Sequence, residues 1–289
     1  MGGYDYGLVD DDESVAAVRS ALELGINFFD TANVYGFGHA EEVLSRALGG
    51  NRADVIIGTK VGVAWDERGQ TRRDLSPSAV VEALEGSLRR LRLDCIPLFQ
   101  IHWPDTDTNT PIEQTMDVLR KCQEEGKIAH IGCCNFSLEL IERAQKHSRI
   151  ESVQLPFSLT DTSHCGVIDR ARDDYNMSLL GYNCLAHGLL SGKYDVESVF
   201  IGTDLRKGVG YFVGEKGEAN SAALERVTTI ARLYGRTPAQ VAIRWVLQHR
   251  PGSCAIVGTK TRTQAEDNCG AMDWLLSDED CDFLSQFSS

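Results

Sequence analysis

Short apolar runs alternate with amphipathic segments along almost the whole chain. Seven of these runs have the length and composition of strands, and they cover residues 26–30, 54–60, 95–102, 128–134, 152–155, 178–182 and 254–258. Segments with apolar residues at helical spacing separate most of them. Nearly continuous hydrophobicity is typical of parallel strands that helices cover on both faces. The pattern therefore predicts an α/β fold built on a parallel sheet.

Capping residues mark the starts of the predicted helices. Ser76 with Pro77 precedes an amphipathic segment, and Ser followed by Pro is typical of a helix start. Residues 110–113, Thr-Pro-Ile-Glu, have the form of a capping box, in which two side chains cap each other's backbone N–H groups. Helices are predicted over 12–24, 40–48, 166–175, 221–234, 238–249 and 263–270, with others beginning near 77, 111, 138 and 277. Residues 65–74 and 194–218 are predicted to be loops.

A TIM-type (β/α)8 barrel is favoured over an open doubly wound sheet. No Gly-x-Gly-x-x-Gly sequence follows a predicted strand, and Gly36-Phe-Gly38 fits a turn better than a phosphate-binding loop. A chain of 289 residues suits a single barrel domain over residues 1–289. Only seven strands are predicted, and an open seven-stranded sheet would have two exposed edges. The chain is therefore expected to lack the first strand of a barrel or to form a diverged open barrel.

Composition and charge narrow the range of partners. The net charge is −13 and no basic run occurs, which argues against a nucleic-acid partner. No apolar run approaches the length of a membrane span, and the first residues do not form a signal peptide. The nine cysteines are scattered without Cys-x-x-Cys pairs, so we expect reduced, mostly buried thiols in a cytoplasmic protein. No zinc-ligand pattern is present, and no metal is expected.

Three predicted strands end in groups that can take part in proton transfer. Asp30 ends the first, with Tyr35 five residues later, while Lys60 and His102 end the next two. Catalytic groups of α/β barrels lie at such strand ends. Asp30 is the natural counter-charge for Lys60, although a purely structural ion pair is the alternative. A cation near Tyr35 would lower its pKa from about 10 by about 1–3 units and make it a usable proton donor. His102 is either a core histidine or a hydrogen-bond donor to a substrate carbonyl.

Together these motifs resemble the aldo-keto reductase superfamily. The matching segments are Asp-Thr-Ala-x-x-Tyr-Gly (30–36), Thr-Lys (59–60), His-Trp-Pro (102–104), Gly-Cys-Cys-Asn-Phe-Ser (132–137) and Tyr-Asn-Cys-Leu-Ala-His-Gly-Leu-Leu (182–190). The similarity runs in order through nearly the whole chain. It implies that Asp30, Tyr35, Lys60 and His102 form a catalytic tetrad. The implied reaction is the reduction of an aldehyde or ketone by hydride transfer from NADPH, with Tyr35 as the proton donor.

The resemblance also implies a cofactor site for NADP(H), with NAD(H) second. The residues implied for the carboxamide and nicotinamide ring are Cys134, Asn135, Gln154 and Tyr182. Those implied for the pyrophosphate are Asn183, Leu185, His187, Gly188 and Leu189. Those implied for the adenosine 2′-phosphate and adenine are Gly258, Thr259, Lys260, Gln264 and Asn268. A hydroxyl, a lysine and a helix N-terminus suit the 2′-phosphate, which favours NADP(H). Lys260 and Arg262 could instead be solvated surface cations.

Five residues, in three segments, depart from the family pattern. Cys134 stands where a serine is usual, Leu155-Pro156 replaces Asn-Glu, and Asn183-Cys184 replaces Ser-Pro. A thiol is a weaker hydrogen-bonding group than a hydroxyl, so we expect a looser cofactor site.

The substrate is the least defined part of the prediction. Trp65 and Trp103 are candidate walls of a substrate pocket, or simply packing residues. A small-molecule carbonyl compound such as a sugar is expected, and no cluster for a carboxylate or sugar phosphate is evident. The alternatives are a cofactor-binding regulatory protein, a truncated and weakly active reductase, and a metal-dependent barrel hydrolase. The oligomeric state is not predicted.

Overall fold

Seven parallel strands form the central sheet of the structure, a computed structural model that describes residues 9–194, 198, 200, 204–207, 211–250 and 252–286. The described residues contain nine strands, of which seven form this sheet. In chain order the nine are β1 (Phe28–Asp30), β2 (Ile56–Val61), β3 (Val63–Trp65), β4 (Thr71–Arg73), β5 (Ile96–Ile101), β6 (Ile128–Cys134), β7 (Ser152–Pro156), β8 (Ser178–Tyr182) and β9 (Cys254–Ala255). The sheet has the order β1-β2-β5-β6-β7-β8-β9, and all its pairs are parallel. Strands β3 and β4 form a separate antiparallel hairpin.

Helices alternate with these strands and complete the barrel-type architecture. They are α1 (Asp11–Glu23), α2 (His39–Leu48), α3 (Pro77–Leu91), α4 (Ile112–Glu124), α5 (Leu138–Gln145), α6 (Cys165–Tyr175), α7 (Gly214–Tyr234), α8 (Pro238–His249), α9 (Arg262–Cys269) and α10 (Asp278–Ser285). Helix α1 contacts both α2 and α9. Within the described residues, β1 and β9 each pair with one neighbour, so the predicted (β/α)8 fold is present with seven strands. No helix in these ranges is long and apolar enough to cross a membrane.

Two local predictions were wrong for reasons of hydrogen bonding. The predicted loop 65–74 holds the end of β3, the turn and all of β4 of a hairpin. Its turn closes because the Asp66 carboxylate accepts hydrogen bonds from the backbone N–H groups of Arg68 and Gln70 at 2.8 and 2.9 Å. The predicted capping box at residues 110–113 does not form. Helix α4 begins after Pro111 without a side-chain cap, and the Glu113 carboxylate instead binds Arg143 at 2.8 Å.

Two predictions near the C-terminal third also need correction. Helix α7 begins at Gly214, inside the predicted loop 194–218. The prediction was wrong here because two glycines in the first turn of the helix weaken the helical pattern of the sequence. The rest of that predicted loop contains the short 3-10 turn Leu205–Lys207, while 195–197, 199, 201–203 and 208–210 lie outside the described residues. Strand β9 has only two residues, although Ile256 N–H still donates to the Gly181 carbonyl at 2.7 Å.

The core lies between the sheet and its helices. Phe99, Phe157 and Trp245 are among its largest fully buried side chains, and the Phe157 and Trp245 rings stack 5.5 Å apart. A second apolar cluster, which includes Leu44 and Ile57, packs α1 and α2 against β1 and β2. Both clusters pack helices against the strands, and this packing fixes the positions of the carboxyl ends of the strands.

The cysteines are less buried than the sequence suggested. All nine are free thiols, but only Cys122, Cys133, Cys134 and Cys184 are buried. Cys254 is exposed, and the other four are partly exposed. The prediction of mostly buried thiols was therefore wrong, because several cysteines lie near helix and strand ends at the surface.

Candidate active site

The four predicted catalytic residues lie at the carboxyl ends of three adjacent strands. Asp30 ends β1, Lys60 is the penultimate residue of β2, and His102 directly follows β5. Tyr35 begins the 3-10 turn Tyr35–Gly38, five residues after Asp30. Strands β1, β2 and β5 are neighbours in the sheet, so their carboxyl ends meet at one edge. The structure therefore brings these four residues together.

Lys60 and Asp30 form a buried ion pair. The Lys60 side chain is fully buried, and its ammonium donates to the Asp30 carboxylate and to the Thr31 carbonyl, the latter at 2.8 Å. Burial alone would lower the pKa of Lys60, but the charge of the Asp30 carboxylate and its hydrogen bond to the ammonium outweigh burial, and the pKa rises. The ion pair inferred from the sequence is present, and Lys60 stays cationic.

Two glutamine amides also hold the Asp30 carboxylate. Gln100 Nε2 and Gln154 Nε2 donate to Asp30 Oδ1 at 3.0 and 2.9 Å. Gln100 is fully buried on β5, and the sequence reasoning missed it, although a polar residue inside an apolar strand is itself a signal. Gln154, which is also a predicted cofactor contact, fixes Asp30 in this structure. The carboxylate is thus oriented from three sides.

The turn that Tyr35 begins packs against a buried polar network. Gly38 adopts a φ of +97°, and a Cβ at this position would come within 2.7 Å of the Arg90 side chain. Arg90 Nε binds the buried Glu41 carboxylate at 2.7 Å, and Thr59 Oγ1 donates to Glu41 at 2.6 Å. This network joins α2, α3 and β2 directly behind the turn. Arg90 thereby packs against Gly38, the last residue of the turn that Tyr35 begins.

The pKa of Tyr35 moves in the direction opposite to the one predicted. Burial of its phenol raises the pKa, and the nearby charge of Lys60, whose Nζ lies 5.3 Å from the ring centroid, only partly offsets this. The prediction of a lowered pKa was wrong because burial and the Asp30 charge oppose Lys60. The residue still exposes 38% of its surface, which leaves a face open to a reactant. Tyr35 therefore keeps its proton at neutral pH.

His102 lies edge-on to Tyr35 and is electrically neutral. The two ring centroids are 5.7 Å apart with an interplanar angle of 82°. The backbone of His102 is held at both ends, since its N–H donates to the Val61 carbonyl at 2.8 Å and its carbonyl accepts from Asn135 Nδ2 at 3.0 Å. Its Nδ1 is buried and has no hydrogen-bond partner in the described part of the chain. Burial and the charges of Lys60 and Arg73 lower its pKa to about 3.

We predict that His102 does not titrate near neutral pH. Its folded-state pKa of about 3 lies below the unfolded value of about 6.5. The stability linked to the neutral ring is complete above about pH 6.5, and about 1.4 kcal/mol is lost per pH unit as the pH falls from there towards about 3. The unfolding free energy should therefore fall more steeply with acid in the wild type than in His102→Gln. An NMR titration of the His102 ring with a midpoint near 6.5 would contradict this prediction.

The residues predicted to face a nicotinamide ring form one polar group beside the tetrad. The buried Cys134 thiol contacts Gln100 Oε1 at 3.7 Å, and burial raises its pKa, so the thiol stays protonated. Asn135 has a φ of +60° and accepts a hydrogen bond from the Tyr182 hydroxyl at 2.9 Å. The structure therefore joins Cys134, Asn135, Gln154 and Tyr182 into the network that holds Asp30 and His102.

The predicted pyrophosphate loop is a tight turn after β8. The Asn183 side chain accepts from the His187 N–H at 2.9 Å and donates to the Tyr211 hydroxyl at 3.0 Å. His187 and Gly188 have positive φ angles of 57° and 96° within the turn Ala186–Ser191. Leu189 is fully buried and Leu185 packs against the core. The leucine side chains thus serve packing, and the backbone N–H groups of Ala186, Gly188 and Leu190 donate to carbonyls within the same segment.

The segment after β9 has the groups that a phosphate requires. Lys260 N–H donates to Gln264 Oε1 at 2.8 Å, and Asn268 Nδ2 donates to Thr259 Oγ1 at 3.1 Å, so the segment folds back on the first turns of α9. Burial, with the positive charges of Arg206 and Lys193, lowers the pKa of Lys260. An anion placed there would be stabilised by this positive field and by the N-terminus of α9. Arg262, in contrast, pairs with Glu266 on the surface.

Both tryptophans predicted as pocket walls flank the tetrad. The Trp103 ring lies 6.2 Å from the His102 ring and nearly parallel to it. The Trp65 ring lies 5.7 Å from Phe37, which follows Tyr35 in the 3-10 turn. Both are partly exposed, so they border open space next to the reacting groups. Within the described ranges, no group of three or more His, Cys, Asp or Glu side chains is arranged to hold a metal ion.

Comparisons with known proteins agree with this arrangement. A sequence model of the Aldo/keto reductase family matches residues 1–288. The aldo-keto reductase YhdN of Bacillus subtilis is 34% identical over 284 residues, covering 97% of this chain and 85% of that protein. The aldo-keto reductase yakc of Schizosaccharomyces pombe, whose name specifies NADP(+), is 32% identical over 280 residues, covering 94% of this chain and 82% of its own. The solved glycerol dehydrogenase AKR11B4 from Gluconobacter oxydans superposes with a TM-score of 0.91 at 34% identity, covering 99% of this chain and 88% of that one.

Proposed function

The chain belongs to the aldo/keto reductase family of oxidoreductases, and on this premise we propose that it reduces a small aldehyde or ketone to an alcohol with NADPH. The grouping of Asp30, Tyr35, Lys60 and His102 at three adjacent strand ends carries the proposal. A protonated tyrosine, a buried ammonium and a neutral imidazole border one open site. Such a set suits proton donation to an oxygen that gains negative charge.

In the proposed mechanism, the substrate carbonyl oxygen accepts hydrogen bonds from Tyr35 and His102. When bound, the nicotinamide supplies the hydride. Tyr35 gives its proton to the oxygen, and the Lys60 ammonium stabilises the negative charge left on the phenol. Asp30 keeps Lys60 charged and in place, while the neutral His102 orients the carbonyl.

The cofactor residues fit a phosphorylated dinucleotide. The family resemblance places the turn Ala186–Ser191 beside the pyrophosphate. Thr259, Lys260 and the start of α9 offer a hydroxyl, a cation and a helix N-terminus to a 2′-phosphate. The fission-yeast relative is named for NADP(+), which supports the same choice here. NADP(H) is therefore our proposed cofactor, and NAD(H) the weaker alternative.

Lys260→Met is expected to weaken NADPH binding selectively. Loss of one charge-assisted contact should raise the KM for NADPH by about 10- to 100-fold and leave the KM for NADH nearly unchanged. Arg262→Met is the matched control, because Arg262 already pairs with Glu266. Steady-state kinetics with both cofactors makes the measurement. An equal rise for both cofactors would show that Lys260 does not recognise the 2′-phosphate.

The proposed activity is tested by following NADPH oxidation with a panel of small carbonyl compounds. Glyceraldehyde is the first choice, since one similar protein is a glycerol dehydrogenase. We expect aldehyde-dependent oxidation and the reverse reaction with the matching alcohol and NADP+. Saturable NADPH binding without turnover of any carbonyl would instead favour a cofactor-binding regulatory protein. A cytoplasmic location stays a prediction from the sequence.

A further inference from the structure

Arg73, the last residue of β4, lies beside the proposed substrate site. Its guanidinium carbon is 5.0 Å from the centroid of the Trp103 ring, and its Nη1 donates to Thr106 Oγ1 at 3.1 Å. Its backbone N–H donates to Asp107 Oδ2 at 2.7 Å, which ties the hairpin to the loop after β5. The arginine side chain is thus held in one position against an aromatic face.

The Arg73 guanidinium has no carboxylate partner among the described residues. No Asp or Glu oxygen in those ranges lies within 4.0 Å of it, whereas the adjacent Arg72 pairs with Asp74 at 3.1 Å. Arg73 is also partly buried, so its charge is less screened by water than that of a surface arginine. Thr106 Oγ1, which accepts from Arg73 Nη1, also donates to Asp107 Oδ1 at 3.1 Å, so that carboxylate lies one hydroxyl away from the guanidinium. A partly desolvated guanidinium that makes no direct ion pair among the described residues favours an incoming anion, and its planar donors match a carboxylate or phosphate.

The position of Arg73 relative to the reacting groups indicates whether that anion would be part of the substrate or of the cofactor. Trp103 bridges the arginine and His102, because its ring is nearly parallel to His102 at 6.2 Å and also faces the guanidinium. The positive charge of Arg73 is one of the causes that keep His102 neutral, so the two groups interact electrostatically. The hairpin follows β2, whereas the proposed cofactor segments follow β6, β7, β8 and β9. An anion at Arg73 would therefore belong to the substrate rather than the cofactor.

We propose that Arg73 is an anion-binding residue of the substrate pocket, and that preferred substrates carry a carboxylate or phosphate a few atoms from the carbonyl. This inference rests on the proposed carbonyl reduction. The carbonyl of the substrate lies between Tyr35 and His102, and its anionic group lies against Arg73. The Trp103 ring, which is near both His102 and Arg73, borders the part of the substrate that joins these two groups. Arg73 recognises the anion and takes no part in the chemical step.

Matched substrate pairs test the proposal. One pair is 4-carboxybenzaldehyde and its methyl ester, and the other is glyceraldehyde 3-phosphate and glyceraldehyde. In Arg73→Gln, kcat/KM for the anionic member of at least one pair should fall by about 10- to 100-fold. The value for the neutral member should stay within about fivefold of wild type. The pair with the larger change distinguishes carboxylate from phosphate.

Arg72→Gln is the matched control, because it removes the same charge from the same strand at a residue already paired with Asp74. Its anionic-to-neutral ratio of kcat/KM should equal that of the wild type. An unchanged ratio in Arg73→Gln, or an equal loss for both members of each pair, would overturn the proposal. If the wild type reduces none of these compounds, carbonyl reduction itself fails. Calorimetric titration with benzoate and benzamide then tests anion binding by Arg73 without the reaction. Benzoate binding that is lost in Arg73→Gln supports the anion-binding role of Arg73. Benzoate binding that is absent, or equal in the two proteins, refutes that role.

Discussion

Replacing Tyr35 by phenylalanine is expected to lower kcat for aldehyde reduction by about 10²- to 10⁴-fold. Burial holds the proton on the Tyr35 phenol, and Lys60 lies close enough to stabilise the charge left after proton transfer. Phenylalanine keeps the ring and its edge-on contact with His102, so the pocket keeps its shape. Kinetics with a saturating aldehyde measures kcat, and an NADPH titration followed by tryptophan fluorescence measures the dissociation constant for the cofactor.

The dissociation constant for NADPH should stay close to wild type in Tyr35→Phe. The matched control is Tyr175→Phe, since Tyr175 ends α6 and packs at the edge of the core. Its kcat should be unchanged. Equal turnover by the wild type and Tyr35→Phe would exclude Tyr35 as the proton donor and leave the ion pair of Lys60 and Asp30 as a purely structural feature.

Lys60→Met is expected to lower the free energy of unfolding by about 3–5 kcal/mol and to abolish turnover. The methionine leaves the Asp30 carboxylate without its cation, and among the described residues its remaining side-chain donors are the amides of Gln100 and Gln154. The double variant Asp30→Asn with Lys60→Met removes the uncompensated charge and should recover much of the stability but none of the activity. Urea unfolding monitored by fluorescence and circular dichroism measures the differences.

Lys121→Met provides the control for this comparison, because Lys121 is exposed on α4. Its stability should change by no more than about 0.5 kcal/mol. A Lys60→Met variant that no longer folds cooperatively, while the double variant does, is the extreme form of the expected result. Wild-type stability in Lys60→Met would mean that the buried pair contributes nothing to the fold.

The sequence was sufficient to predict that Asp30, Lys60 and His102 lie at neighbouring strand ends, because the end of an apolar strand can be recognised locally. An apolar run that ends in Asp30, Lys60 or His102 marks a polar group at the rim of a sheet, and parallel strands bring such rims together. The order of elements and most of their bounds follow from the same periodicity. The short helix α9 was also predicted, over residues 263–270, and the structure adds that the Thr261 side chain caps it by accepting from the Gln264 N–H.

The remaining features depend on contacts between distant parts of the chain. Gln154 reaches across the sheet to Asp30, and Gln100 joins them, which no local pattern reveals. The direction of the Tyr35 pKa depends on how burial and the charges of Lys60 and Asp30 balance, which only geometry gives. Arg73 was overlooked because its segment resembled a polar loop, although it forms a hairpin strand fixed by Asp107.

Carbonyl reduction by direct hydride transfer is the central claim, and isotope transfer tests it most directly. The purified protein would be incubated with glyceraldehyde and NADPH carrying deuterium at both positions of the nicotinamide C4, and the alcohol analysed by mass spectrometry and NMR. We expect one deuterium on the carbinol carbon with the wild type and almost none with Tyr35→Phe. NADPH that binds but delivers no deuterium to any carbonyl compound would contradict the proposed function and indicate a cofactor-binding protein instead.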